Sequence, residues 1–180
     1  HSRAPMGERL PQVGSNEMAG LLEALEGDYQ GRADLPQLAD ALSLEIDDLF
    51  PIAEALHLLG FAEVGQGDIV LTHAGRAYVE ADTSDRKHIF AVHLLAHISL
   101  AAHIHRVLEE RPNHRAPKAR FIAELEDHLS NDEAQSVLET AIEWGRWGEV
   151  FAYDQKSGLL MLDVDDDAPQ TSNSGTTAKN

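Results

Sequence analysis

The sequence predicts a mainly α protein with two small β-hairpins, and three observations carry that prediction. Apolar residues recur at helical spacing in several segments, as in Met18-Leu21-Leu22-Leu25. Two pairs of short strand-like runs interrupt them, residues 61–64 with 69–71 and 150–153 with 159–162, each pair joined by a Gly-containing turn. The order of three helices followed by a hairpin then occurs twice, although the two halves share little sequence.

Taken in order, residues 1–14 mix Pro, Gly and Arg without periodicity and read as a linker or tag. A helix is expected over 15–26, capped by Ser15 or Asn16. Residues 27–32 read as a turn. Asp34 caps a short helix that tolerates Pro36 in its first turn and turns Leu35, Leu38, Ala39 and Leu42 inward. A third helix starts near Glu45, with Pro51 predicting either a kink or a start nearer Leu49. Gly60 stands where a left-handed C-cap is wanted, Gly65-Gln66-Gly67-Asp68 turns the first hairpin, and Thr72 caps the helix that follows.

From Asp85 the pattern predicts one long helix to about residue 110, with Phe90, Leu94, Ala101, Ile104 and Leu108 along one side. Arg111-Pro112-Asn113-His114 stops it. Helices over 118–129 and from Ser130 or Asn131 to about Trp144 precede the second hairpin. A helix, a hairpin and a helix in this order resemble the wing of a winged-helix unit. The expected organisation is therefore a first winged-helix-like half over 15–81, a long helix with a second such half over 82–163, and a disordered acidic and Ser/Thr-rich tail over 164–180. A chain beginning His1-Ser2-Arg3 reads as a tag remnant or as a fragment of a longer protein.

Composition narrows the partners. The 180 residues carry 14 Lys and Arg against 31 Asp and Glu, a net charge of −17. Such a surface repels phosphate backbones, so no nucleic-acid partner and no anionic membrane surface is expected. The expected third helix offers Glu45, Asp47, Asp48 and Glu54, where a DNA reader would carry basic side chains. No cysteine is present, which leaves neither disulfides nor thiolate metal sites. The most apolar run, residues 89–104, contains His93, His97 and His103 and is too short and polar for direct membrane insertion.

Two segments carry a family resemblance. One is Leu58-Leu59-Gly60-Phe61-Ala62-Glu63-Val64 with Gly67-Asp68-Ile69-Val70-Leu71-Thr72-His73-Ala74-Gly75-Arg76; the other is Trp144-Gly145-Arg146-Trp147-Gly148-Glu149-Val150-Phe151-Ala152-Tyr153-Asp154. With Arg86, Lys87 and Phe90 between them, they resemble the AAA-associated C-terminal domain of ATP-binding subunits of nitrate/sulfonate/taurine/bicarbonate-type ABC transporters. The resemblance covers about residues 16–162. It implies an accessory, regulatory or oligomer-stabilising cytoplasmic domain, held at the inner face of the membrane through the transporter. The implied partners are the ABC ATPase domain and the transporter permease. The chain has no Gly-x-x-x-x-Gly-Lys-Ser/Thr phosphate loop, so the expectation is that it is not itself an enzyme.

Six candidate positions follow, each with more than one reading. Arg76 and Arg146 stand at equivalent points of the two signatures. They contact a partner, or clamp a local carbonyl or carboxylate such as Glu149 or Asp154. Trp144 and Trp147, three apart on a helix, fit core and hairpin packing better than a ligand platform. His93 and His97 are four apart on one face, a spacing able to chelate a divalent metal. They lack the Glu of a His-Glu-x-x-His pattern, and ordinary packing histidines are the simpler reading; a third is pH sensing, since neutral imidazoles on an apolar face would resist protonation. No cofactor is otherwise expected. A homodimer could use the first or the long helix. The competing functions are a metal- or small-molecule-sensing module and a winged-helix transcriptional regulator.

Overall fold

A computed structural model describes residues 9–162; the expected tail and the first eight residues lie outside them. The elements run α1 (Ser15–Tyr29), β1 (Arg32–Asp34), α2 (Leu35–Ala41), α3 (Ile46–Leu58), β2 (Ala62–Gly65), β3 (Asp68–Leu71), α4 (His73–Glu80) and α5 (Thr83–His97). They continue with α6 (Ser99–Glu110), β4 (Arg115–Pro117), α7 (Lys118–Leu125), α8 (Asn131–Trp147), β5 (Ala152–Asp154) and β6 (Leu159–Met161). The fold is mainly helical, as expected.

Each hairpin is part of a larger sheet. β1 pairs antiparallel with β3 and β4 with β6, giving two three-stranded sheets of order β1-β3-β2 and β4-β6-β5. The first hairpin turns through Gln66 and Gly67, both at positive φ (55° and 83°), as a two-residue turn matched to strand twist requires. α1 starts one residue after Gly14, whose N–H is accepted by Glu17, and runs on to Tyr29, past the expected end. α3 starts at Ile46 and contains Pro51; α7 ends at Leu125.

The expected long helix is two helices. α5 and α6 meet at 98° across Ile98, whose φ −110° and ψ 103° are extended and whose side chain is fully buried. Apolar periodicity continues across the break, and both arms of the bend stay in one core, Phe90 and Leu94 before the corner and Leu100, Ala101 and Ile104 after it. Among the described residues no single helix is long and apolar enough to cross a membrane.

The bend reveals an internal duplication. The series α1-β1-α2-α3-β2-β3 is repeated as α6-β4-α7-α8-β5-β6, with α4 and α5 inserted between. Backbone bonds repeat with it. Leu35 N–H donates to Gly67 carbonyl at 2.8 Å and Lys118 N–H to Gly158 carbonyl at 2.9 Å. Leu71 donates to Gly31 (2.7 Å) and Leu162 to His114 (3.1 Å); Phe61 donates to Leu56 and Val150 to Gly145, both at 2.9 Å. Gly60 (φ 84°) and Glu149 (φ 60°) occupy the same left-handed corner.

One hydrophobic core runs through both repeats, with Phe61, Phe90, Phe121, Trp144 and Phe151 among its largest side chains. It also takes in Leu10 and Val13, so the described part of the expected linker is packed rather than free. Arg9 adds an ion pair to Glu133 at 2.9 Å, and the Ser15 N–H and hydroxyl donate to Glu143 at 3.0 and 2.8 Å. The arm thus rests on α8, in the other repeat.

Candidate functional site

The two signature segments form a pair of joints around the inserted helices. The Thr72 hydroxyl accepts the Gly75 N–H (3.0 Å) and donates to the Gly60 carbonyl (2.7 Å), so one side chain starts α4 and ties it to the end of α3. Gly75 lets α4 settle on the Phe61 carbonyl; any Cβ there would collide with that oxygen. Arg76 then reaches Glu26 on α1, its guanidinium lying over Gly31, where a Cβ would come within 2.6 Å of Nη2. The carboxylate partner is Glu26, not Glu149 or Asp154. It belongs to a helix fifty residues away, beyond the reach of local spacing.

The second joint is built on α8. Trp144 is fully buried and donates its indole N–H to the Val13 carbonyl at 2.8 Å, which fixes the N-terminal arm. Gly145 leaves room for the Phe151 ring, and Gly148 for the backbone of α5 at Ala91. Trp147 donates to the Tyr78 hydroxyl at 3.0 Å, while Lys87 Nζ lies 5.3 Å from its ring centre and also bonds Glu149 at 3.1 Å. Trp144 is thus core, and Trp147 links α8 to α4. Arg146 is exposed, and its side chain makes no hydrogen bond or ion pair with a described residue. It is not the counterpart of Arg76: the repeated backbone bonds place it opposite His57.

Between the joints lies Arg86, which sequence reasoning named only as support. Its Nε and Nη2 donate to the Tyr78 and Val79 carbonyls at 2.9 and 2.8 Å, and Nη1 to Glu23 at 2.9 Å. It therefore caps the C-terminal end of α4, where orphan carbonyls collect, and binds α1 and α5 to it. Tyr78, overlooked in the sequence, is 2% exposed, and burial pushes its phenol up despite the opposing bond from Trp147. Nothing local in the sequence marks these two residues, because their partners are distant.

His93 and His97 do come together, with ring centres 5.5 Å apart. They pack on Gly60, and His93 stacks on Phe61 at 4.7 Å while its Nδ1–H donates to the Leu59 carbonyl at 2.7 Å. Among the described residues no three His, Asp or Glu side chains gather as a metal-holding group. The geometry of the pair serves the end of α3. On the second repeat His103 bonds Glu124 at 3.0 Å and meets Phe121 edge-on.

The family model described as the C-terminal AAA-associated domain matches residues 36–154. The chain belongs to that family. Neither the curated proteins nor the solved structures contain a match to it. The match covers the Thr72–Arg76 joint, the inserted helices α4 and α5, and the Trp144–Gly148 joint. An AAA-associated domain is an accessory part of AAA/ABC-type proteins, and in this one the signature residues serve to fasten helices across the duplication.

Proposed function

We propose that this chain is the accessory C-terminal domain of the ATP-binding subunit of an ABC importer for small anions, of nitrate/sulfonate/taurine/bicarbonate type. It acts by protein contact at the cytoplasmic face of the membrane and contributes no catalysis of its own. The family match over residues 36–154 carries the reading. Support comes from the acidic surface and from Phe50, Val64 and Val92, large apolar side chains that stand 49%, 37% and 53% exposed. Each repeat is read as a winged-helix-like unit turned from nucleic acid to protein: α3 begins with Asp47 and Asp48, which suit a helix N-terminus but repel phosphate.

Such a domain regulates only if it binds one state of the ATPase dimer better than another. The test is ATP hydrolysis and nucleotide-dependent dimerisation of the ATP-binding subunit with this domain attached and with the domain deleted from residue 9 onward. A change of threefold or more in rate, ATP dependence or dimer affinity is expected. Identical behaviour of the two proteins in all three respects would sink the proposal.

A further inference from the structure

The duplication gives a comparison within one molecule. Laying α8 on α3 through the shared bonds at Gly145 and Leu56 places Arg146 on His57, Trp147 on Leu58 and Tyr153 on Val64. Lys118 falls on Leu35, the first residue of each repeat's short helix. In the second repeat this face is an open groove of about 700 Å³ beside α8 and the β5–β6 turn. Ile142, Trp147 and Tyr153 form its apolar lining, with Arg146, Lys118, Glu139 and Glu143 as charged neighbours.

Its cations are left over from the fold. Arg9, Arg32, Arg76, Arg86, Lys87 and Arg120 each pair with a carboxylate. Arg146 has no such partner among the described residues, and Lys118 only overlies the Tyr153 ring, its Nζ 5.7 Å from the ring centre. Arg106, Arg111, Arg115 and Lys156 also lack a carboxylate partner among the described residues, but of these six cations only Arg146 and Lys118 line this groove. The first repeat builds the same backbone with Leu35, Leu58, Val64 and a His57 that already lies 3.7 Å from Glu63. The shared backbone therefore requires neither the cations nor the Tyr153 ring, whereas Trp147 also carries the bond to Tyr78.

We propose that this groove binds a small organic monoanion with a planar apolar body. Its carboxylate-type head is held by Arg146 and Lys118, and its ring lies against Trp147 and Tyr153. The volume lies within the usual range for ligand sites, roughly 300–1,000 Å³. A planar guanidinium suits a two-oxygen head, and an indole beside a phenol suits a flat body. The opposite end of the groove is negative. Glu139 is two turns, roughly 10 Å, from Arg146 along α8. Glu143 lies between them with its carboxylate engaged by Ser15. A second carboxylate on the ligand is repelled there. The site stands independently of the ATPase partner proposed above.

Calorimetric titration of the purified chain with 2-naphthoate tests this, beside uncharged 2-naphthylmethanol and dianionic 2,6-naphthalenedicarboxylate. One saturable site is expected for 2-naphthoate, with both comparators weaker by about tenfold. Arg146→Gln and Lys118→Gln should each weaken binding by about fivefold or more, while His57→Gln on the first repeat leaves it unchanged. Both substituted side chains are unpaired, so thermal melts should show all three variants folded. Absence of saturable binding, equal binding of the alcohol, or indifference to both Arg146→Gln and Lys118→Gln would overturn the assignment.

Discussion

The indole N–H of Trp147 meets the hydroxyl of Tyr78 at 3.0 Å, a side-chain bond between residues 69 positions apart that joins α8 to the inserted α4. Replacing either partner strands a largely buried polar group, which costs about 1–3 kcal/mol. Trp147→Phe and Tyr78→Phe are each expected to lose stability in that range. Urea unfolding of the double variant should show a coupling of about 1 kcal/mol. Strictly additive losses would mean that the bond does not hold α8 to α4.

The same tyrosine gives an alkaline signature. Burial raises the Tyr78 phenol above its ordinary value, so the unfolded chain releases that proton at lower pH than the folded one. Its contribution is fully present below about pH 10 and is lost as pH rises through the unfolded and then the folded pKa. Melts from pH 8 to 11 should show wild type declining more steeply than Tyr78→Phe. Parallel curves would contradict the burial account.

Glycines should divide into two classes. Gly75→Ala sets a methyl against the Phe61 carbonyl and Gly145→Ala one against the Phe151 ring, and each is expected to cost about 3 kcal/mol. Gly20 and Gly27 lie within α1 with nothing within 4 Å of a built Cβ. Alanine there is expected to stabilise by up to about 1 kcal/mol through helix propensity. Denaturant midpoints of the four variants decide it.

Arg86→Met removes three donated bonds, two to the carbonyls that end α4 and one to Glu23. A loss of about 2–3 kcal/mol is expected, and Arg86→Lys should recover little because a point charge cannot serve the forked geometry. Full recovery by lysine would assign the effect to charge alone.

For His93 and His97, protein purified without a nickel column should carry no stoichiometric zinc or manganese, and added metal should move the melting midpoint by less than about 1 °C. A larger rise that disappears in His93→Gln and His97→Gln would make the pair a metal site after all. His93→Gln alone disturbs the bond to the Leu59 carbonyl and is expected to cost about 1 kcal/mol.

Local chemistry was legible in the sequence. The Met18–Leu25 stripe, the Thr72 cap, the Gln66-Gly67 turn and the Ser130 cap each follow from residues a few positions apart. β1 and β4 were not, because Arg32–Asp34 and Arg115–Pro117 are three residues long, carry no β-branched side chain, and become strands only by pairing with distant β3 and β6. The bend at Ile98 was hidden by apolar periodicity that runs straight through it. At the candidate site, the closeness of His93 and His97 was readable from spacing. The bonds from Arg76 to Glu26, Arg86 to Glu23 and Trp144 to Val13 span much of the chain and left no local trace.

The bond from Trp144 to the Val13 carbonyl closes a loop of 131 residues, and this sets an order of events during synthesis. At roughly 5–20 residues per second, about 7–26 seconds separate the appearance of the arm from that of its seat. α1 and the first sheet can form in that interval, but Leu10 and Val13 must wait uncovered until α8 has emerged. A nascent chain halted before Trp144 would therefore expose an apolar arm, offering a binding site for a chaperone or a foothold for a protease that the finished protein withdraws.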